Sequence, residues 1–600
     1  MTFYFPHDSS PSRTNEIISS LGGARSPLRP DRWRYYLADH PDQELVRLFI
    51  RGIEEGFATG YCGDTHTYRA PTRTLSHDDT QHILTDLERE LKLGRISGPY
   101  THPPTTGPYP FYRTAPTYTI TKKQSHKKRR IDNLSFPAGH SVNDNIDKKD
   151  FPVNYSNIDK ITQAILEGEP GDLVSCIDIK DAYRHYTINP WDLALFVIEF
   201  LGMFFLQLFL NFGCTANCGI FDTGSHLITW MGMHHRAIKN HPELGLRRIE
   251  CILDDFSLFH SHAASLNRDL ALLELNQFIQ QVEDLGFKIQ HDKTQAATTT
   301  PTIMGLQFDT TTGTVTIPDD KCERYRSSLD DLFTDSQPPN TLGPRTTTIA
   351  RLRELLGKLV YVTNVVYSGR TRLYHLFRCL NGALSRARKR LGPAANRMKT
   401  FPGTLNLVHI STAAQDDLHF WRALLLRMPS RLLLLRRLPR CDPVLSCRQV
   451  TTDASSWGVG GYYETTYGES MYFSIPWNSS ITPPHSTYGE LFALIVAVAL
   501  WDYDWKLEHI LWITDCSCHT TGLYKIRTTA PELLAIHDFL DLRSSLGFYQ
   551  YAPRWIKGED NTLADELSRG ILCNEALNSM TRCHPTSNLL PISFGGKLCY

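Results

Sequence analysis

The sequence has no CxxC pair and no Cys/His spacing of a zinc site, although it holds 14 cysteines in 600 residues. Thiols scattered in this way exclude a disulfide framework and read as free cysteines of a reducing compartment. Neither charge is in excess, with 63 Lys plus Arg against 63 Asp plus Glu. Net charge therefore excludes no partner, and only local asymmetry can point to nucleic acid. The first residues, MTFYFPHDSSPSRTNEI, lack the basic-then-apolar layout of a signal peptide. One apolar run, LALFVIEFLGMFFLQLFL over 193–210, is near the minimum for a bilayer span. Glu199, Gly202 and Gln207 interrupt it, and its Phe, Val and Ile content favours two buried strands joined at Gly202. The expectation is an intracellular protein, in cytoplasm or nucleus, with no membrane partner.

A chain of this length exceeds one core, and three to five units are expected. Residues 1–95 carry apolar residues at helical spacing in DQELVRLFIRGIEEGF and TQHILTDLERELKLGRI, and read as a helical N-terminal extension. The Pro-rich GPYTHPPTTGPYPFYRTAP marks a boundary near 96. A basic run follows, with Lys122, Lys123, Lys127, Lys128, Arg129 and Arg130 within nine residues. Such a run is a solvated loop or a phosphate-binding flap. Residues 171–310 alternate short apolar strands with helices, an α+β pattern. Residues 311–440 turn helical and basic, and between 351 and 400 twelve Lys or Arg face one acid, Glu354. That asymmetry is the footprint of contact with a nucleic-acid backbone. RCDPVLSC at 440–447 reads as a linker, 447–570 as a separate α/β domain, and 571–600 shows no clear element.

Two sets of carboxylates lie in apolar surroundings. In the first, the β-rich VSCIDIKDAYRHYTI delivers Asp178, then Asp181 and Tyr183, and CILDDFSLF places Asp254 and Asp255 at a hairpin turn. An Asp pair is by itself only a turn signal. With Asp178 converging from a distant strand, it suits two Mg²⁺ ions about 4 Å apart that clamp an in-line phosphoryl displacement. In the second, VTTDASSWGVGGYY places Asp453 on a strand and HSTYGELFALIVAVALW puts Glu490 in a first helical turn. LWITDCS ends a strand at Asp515, and WIKGEDNTLADELSR presents Asp565 early in a helix with Asn561 as its expected cap. Singly these have simpler readings. Glu490 lies three after Thr487, a capping-box spacing, and an acid near a helix start is favoured by the macrodipole.

DIKDAYRHY, followed about seventy residues later by ILDDF with NFGCTANCGIF between, resembles motifs A, B and C of retroelement reverse transcriptases. RRIDNLSFPAGHSVND is similar to the fingers motif, LGFKIQHDKTQAATTTPTIMGLQFD to the stretch after motif C, and LRELLGKLVYVTNVVYSGR to the thumb. The wording is nearest to tyrosine-recombinase retrotransposons of the DIRS type, over roughly residues 30–570. The second set, with its N-x-x-AD-x-LSR ending, resembles the D-E-D-D set of ribonuclease H domains.

The resemblance implies an α+β right-hand polymerase followed by an α/β RNase H-like domain. The fingers would occupy 96–170, the palm 171–310, the helical thumb and connection 311–440, and RNase H 447–570. Asp178, Asp254 and Asp255 would be the catalytic, metal-holding residues of the polymerase. Asp453, Glu490, Asp515 and Asp565 would be those of the nuclease. Each site would take two Mg²⁺, with Mn²⁺ as an alternative. Lys123 and Arg130, seven apart, fall where the family grips the triphosphate, and Tyr183 falls at the steric gate that selects deoxynucleotides. Gly213 would let the motif B backbone approach the incoming base and template, and Lys293 would assist the leaving pyrophosphate. The implied partners are an RNA template, a DNA primer, the RNA/DNA hybrid, deoxynucleoside triphosphates and other retroelement proteins.

Ile252 stands where the family's YxDD box has an aromatic ring, Asn211 where a Pro usually precedes the FG of motif B, and Asn217 with Cys218 where Ala-Pro is usual. WIKGED replaces the His loop of many cellular nucleases, and Lys557 cannot shuttle protons as His does at neutral pH. Two other readings stay open: an RNA-dependent RNA polymerase, and a decayed or domesticated copy that only binds nucleic acid. Among weaker signals, MHHRAIKNH reads as surface histidines, DCSCH as packing behind Asp515, and GVGG as a hairpin too short for a dinucleotide fingerprint.

Overall fold

The structure is a computed structural model of the 600-residue chain. It describes residues 1–584 other than 6–9, 105–110, 122–127, 237, 239–240, 242–243, 335–345, 393–400, 428, 433–447, 466, 478–485, 506–508, 520–535, 538, 541–542 and 545–548. The chain divides into two compact units, Met1–Pro301 and Thr302–Tyr600.

In the first unit, helix α1 (Gln43–Glu55) starts where Asp42 accepts from the Leu45 N–H at 2.8 Å. It buries Val46, Phe49, Ile50 and Ile53 along one face. Helix α2 (His77–Lys92) is capped by Ser76, with acids in its first turn and Arg89 and Lys92 in its last. The N-terminal helices do not form a core of their own: Trp33, Phe49 and Ile53 share one apolar cluster with Ile177, Tyr186 and Phe221. Strands β1 (Thr117–Thr121) and β2 (Lys128–Asp132) form a two-stranded ribbon.

The site is positioned by a four-stranded antiparallel sheet. Its members are β3 (Val174–Asp178), β6 (Arg248–Ile252), β7 (Asp255–Phe259) and β8 (Gln295–Thr298), in the order β8-β3-β7-β6. Between β3 and β6 lie β4 (Val197–Phe200) and β5 (Met203–Gln207). They pair antiparallel across a two-residue turn, Leu201-Gly202, with φ of 49° and 76°. Two positive φ values match the right-handed twist of the flanking strands, so the 193–210 run forms a hairpin as its Gly202 implied. Among the described residues no helix is long and apolar enough to cross a membrane. Helix α3 (Thr215–His234) is buried on most of its surface through residues such as Ile220, Phe221, Ile228 and Met231.

In the second unit, helix α4 (Tyr374–Leu391) buries Leu376, Leu380, Ala383 and Ala387 at helical spacing. It leaves Arg378, Arg386, Arg388, Lys389 and Arg390 exposed. A six-stranded mixed sheet follows, built from β9 (Arg448–Ala454), β10 (Gly458–Glu464), β11 (Ser470–Pro476), β12 (His509–Thr514), β13 (Gln550–Trp555) and β14 (Thr581–Arg582). The order is β13-β12-β9-β10-β11-β14, with β9 to β11 an antiparallel meander and β12 and β13 parallel to β9. Helix α5 (Ser486–Trp501), apolar all round, packs into one core with Val450, Val459 and Phe473. Helix α6 (Thr562–Ser568) follows β13. Strand β14 lies in the 571–600 segment that showed no element in the sequence, because two residues are too few for a periodic pattern.

Candidate active sites

Strand β3 ends at Asp178, and its cross-strand partner in β7 is Asp255. The β6–β7 hairpin closes through Leu253 and Asp254, with Leu253 in the left-handed region at φ 55°. That conformation is costly for a branched side chain, and two contacts hold it. The Ser225 hydroxyl on α3 donates to the Leu253 carbonyl at 2.8 Å, and the Ile179 N–H donates to the Asp254 carbonyl at 3.0 Å. The turn is thereby tied to the residue that follows Asp178, and carboxylates from two distant segments come together. Desolvation, and then the charge of Asp178, raise the Asp254 carboxyl above its ordinary range. Asp255 reaches solvent yet is pushed up to about 6, first by partial desolvation and then by Asp254 and Asp178. Lys293 Nζ lies 2.7 Å from Asp178 Oδ2 with 60% of its side chain exposed, and that hydrogen bond raises its own pKa.

Tyr183 lies in a 3-10 turn, Ala182–His185, with its ring edge-on to Phe212 at 4.7 Å and Phe221 at 5.3 Å. Its hydroxyl is 3.4 Å from Cys218 Sγ. Gly213 has φ 109°, and a Cβ there meets only the Asp132 carbonyl at 3.6 Å. Its glycine is therefore required by backbone conformation, while the described protein atoms leave it in ordinary contact. Asn143 brackets this turn, donating to the Gly213 carbonyl at 2.7 Å and accepting from the Thr215 N–H at 2.8 Å. The two asparagines that depart from the family pattern join each other: Asn217 Nδ2 donates to the Asn211 carbonyl at 2.7 Å, both buried. Cys218, a further departure in motif B, is the residue whose sulfur faces the Tyr183 hydroxyl.

Of the two residues expected to grip the triphosphate, the structure describes one. Lys123 lies outside the described residues. Arg130 on β2 turns inward with a side chain 4% exposed, 3.0 Å from Asp86 on α2 and 3.4 Å from Asp132. Alternation along the strand puts neighbouring Arg129 outward instead. Lys128 is likewise engaged, by Asp78 and Asp79. Asp78, Asp79 and Asp86 sit about 44 to 50 residues upstream of the cations that they pair with, so those pairings left no local signal.

In the second unit, carboxylate oxygens of Asp453 on β9, Glu490 on α5 and Asp515 after β12 all lie within 4.8 Å of one another. Among the described residues the Asp178 set is not gathered that tightly. Glu490 does not close a capping box. It accepts from the Ala454 N–H at 3.2 Å and the Thr514 hydroxyl at 3.4 Å. Burial, then Asp453 and Asp515, push Glu490 up to about 9. Burial leads the upward shifts of Asp453 and Asp515 as well.

Asp565 stands outside the trio. Arg569, one turn on, pairs with it at 2.8 Å, which relieves the repulsion of a fourth like charge. Asn561 occupies the cap position of α6 without capping it, and donates to the Thr452 carbonyl at 3.3 Å. Ser568 donates to Asp453 Oδ2 at 2.7 Å. Asn561, Ser568 and Arg569 are all letters of the N-x-x-AD-x-LSR signature, so the sequence carries a signal for Ser568 and Arg569 beside Asp565. DCSCH, expected as packing, brings Cys516, Cys518 and His519 together as a second group of ligand atoms within 4.8 Å. In MHHRAIKNH, His234 stacks on Trp230 at 3.8 Å and His235 bonds the Tyr36 carbonyl at 2.8 Å.

No protein-family model and no curated protein matches the chain. Among solved structures it is similar to foamy viral protease-reverse transcriptase in complex with an RNA/DNA hybrid, with a TM-score of 0.46 and 12% identity, over 92% of this chain and 64% of that one. It is also similar to the dRH form of that protein in complex with double-stranded DNA, with a TM-score of 0.46 and 13% identity, over 92% of this chain and 84% of that one. A third complex, with double-stranded DNA, gives a TM-score of 0.43 and 13% identity over 87% and 96%. The chain thus spans less than two thirds of the first of these proteins.

Proposed function

We propose that the chain is an RNA-directed DNA polymerase with a ribonuclease H domain, from a DIRS-like retroelement. It copies RNA into DNA from a DNA primer and degrades the RNA strand of the hybrid. One observation carries this reading: carboxylates far apart in sequence, singled out by their motifs, converge at two separate places, Asp178 with Asp254 and Asp255, and Asp453 with Glu490 and Asp515.

Both donor sets consist of carboxylate oxygens, which fits Mg²⁺, a hard ion held by a few carboxylates plus substrate phosphates. Bound there, Mg²⁺ would supply activation of an attacking oxygen, a 3′-hydroxyl in one site and water in the other, and charge stabilisation of the displaced one. Asp178 and Asp254 would hold the polymerase metal, with Asp255 beside them. Lys293, hydrogen-bonded to Asp178 on a side chain 60% exposed, would turn its ammonium to the leaving pyrophosphate. Tyr183, packed edge-on against Phe212 and Phe221, blocks the space of a ribose 2′-hydroxyl and so favours deoxynucleotides. The exposed cations of α4 follow the phosphate backbone. Asp453, Glu490 and Asp515 would hold the nuclease metal, and Asp565, paired with Arg569, would be the fourth carboxylate available to it.

The test is primer extension on an RNA template beside hybrid cleavage, for the wild type, Asp254→Asn and Asp453→Asn. Asp254→Asn is expected to lose extension by at least about a hundredfold, a loss of roughly 3 kcal/mol in transition-state stabilisation, and to keep cleavage. Asp453→Asn is expected to do the reverse. Extension that survives Asp254→Asn would sink the polymerase assignment.

A further inference from the structure

Immediately after Asp515 the chain carries a set of ligands that the carboxylate site does not use. The Cys516 N–H bonds the Thr514 hydroxyl at 3.2 Å and the His519 N–H bonds the Cys516 carbonyl at 3.2 Å, which curls the backbone into a single turn. Two sulfurs and an imidazole nitrogen meet there within 4.8 Å, with Cys516 Sγ and Cys518 Sγ 2.9 Å apart. Cys518 is exposed and Cys516 half-buried, so neither fills a core as a packing cysteine does.

His519 is the fixed member. Only 4% exposed, it lies against Trp512 at 5.5 Å, and its Nε2 is 3.0 Å from the Thr487 carbonyl. A nitrogen facing a carbonyl must carry the proton, which leaves Nδ1 as a bare lone pair. A backbone carbonyl that sets the tautomer in this way is the outer support that metal-binding histidines use.

We propose that Cys516, Cys518 and His519 form a site for a soft divalent ion of the Zn²⁺ class. Thiolate and imidazole select such an ion over Mg²⁺, whereas the adjoining carboxylates select the reverse. Asp515 and Cys516 are consecutive, so one turn of chain separates the two metals by ligand softness. On binding, each thiol gives its proton to solvent as its sulfur bonds the metal. Three protein ligands leave the fourth tetrahedral position to water. Two sulfurs at about 2.3 Å from one Zn²⁺ stand roughly 3.8 Å apart, an opening that rotation of the exposed Cys518 side chain provides. The site does not depend on the nuclease being active.

The test uses the full chain, reduced and stripped of metal, in excess Mg²⁺. Alkylation of Cys516 and Cys518 is followed by peptide mass with and without one equivalent of Zn²⁺. Zn²⁺ is expected to slow modification of both by on the order of tenfold or more, and His519→Gln to abolish that protection, since losing even an outer partner costs about 10–100-fold in affinity. Equal alkylation with and without Zn²⁺ in the wild type overturns the proposal. Protection that persists in His519→Gln but disappears in Asp515→Asn also overturns it, because the ion then lies on the carboxylates. If His519→Gln fails to fold, the wild-type comparison alone decides.

Discussion

Asp178 and Asp255 face each other directly across an antiparallel strand pair, where like charges oppose pairing. Partial desolvation, then Asp254 and then Asp178, push the Asp255 carboxyl up to about 6. The folded chain therefore holds this proton more tightly than the unfolded chain, whose Asp titrates near about 3.9. Stability from this group is present below about pH 4 and is lost as pH rises through about 6. In chelator, the denaturation midpoint attributable to this site should fall between those values for the wild type and stay level for Asp255→Asn. A wild-type midpoint that rises over that window more than in Asp255→Asn contradicts the assignment.

Glu490 gives the same sign over a wider window. With its carboxyl pushed up to about 9, first by burial, it keeps its proton at neutral pH in the metal-free domain, and ionising it costs stability up to about pH 9. Mg²⁺ needs the ionised form. Saturating Mg²⁺ should therefore raise the melting temperature, with affinity increasing from pH 6 to 9, and Glu490→Gln should remove most of that gain. Calorimetry at two pH values measures both.

Arg130 separates a structural from a nucleotide-binding role. Its buried contacts with Asp86 and Asp132 predict that Arg130→Ala costs about 1–3 kcal/mol of stability, because the buried cation is lost while Arg89 stays on Asp86 and Thr117 and Gln207 stay on Asp132. A residue that gripped only the triphosphate would instead raise KM for deoxynucleotides with an unchanged denaturation midpoint. Chemical denaturation beside steady-state kinetics distinguishes the two.

What could be read in the sequence was local. The Leu201-Gly202 hairpin and the Asp254 turn announce themselves as polar or glycine breaks in apolar runs, and the faces of α1 and α4 follow from helical spacing. What escaped depends on partners far along the chain. Arg130 looks like one of six exposed cations until α2 brings Asp86 to it. Asn211 and Asn217 look like two unrelated departures until the start of α3 folds one onto the other. Asp565 looks equivalent to its three companions, but Arg569 takes its charge.

Tyr183 is held by edge-on ring contacts with Phe212 and Phe221, so removing only its hydroxyl should matter little. Tyr183→Phe is expected to keep discrimination against ribonucleotides, while Tyr183→Ala opens the space between Phe212 and Phe221 and relaxes it by on the order of tenfold or more. The ratio of kcat/KM for the two substrate classes is the measurement.

Ser175, His260 and Glu274 line up as a nucleophile, base and orienting acid do, with Ser175 Oγ 2.7 Å from His260 Nε2 and His260 Nδ1 2.8 Å from Glu274 Oε2. All three are sealed in the interior, Ser175 and His260 at 0% exposure, so no substrate reaches them. Their work is done on the sheet. Ala297, in the left-handed region at φ 44°, sits at a register shift in β8, and its N–H is taken by Ser175 Oγ at 2.8 Å. The triad thus braces an irregular edge beside β3, three residues before Asp178. Burial opposes the ionised form of Glu274, but hydrogen bonds from His260, Ser261 and the Gly245 N–H hold its carboxyl below the usual range. Ser175→Ala should cost about 1–3 kcal/mol by leaving a buried N–H unpaired. His260→Ala should cost a similar amount, and the double variant less than the sum, since both break one network. A fluorophosphonate probe should leave Ser175 unlabelled in the folded protein. Labelling there, with stability unchanged in Ser175→Ala, would mean that the triad is reachable and catalytic rather than a brace.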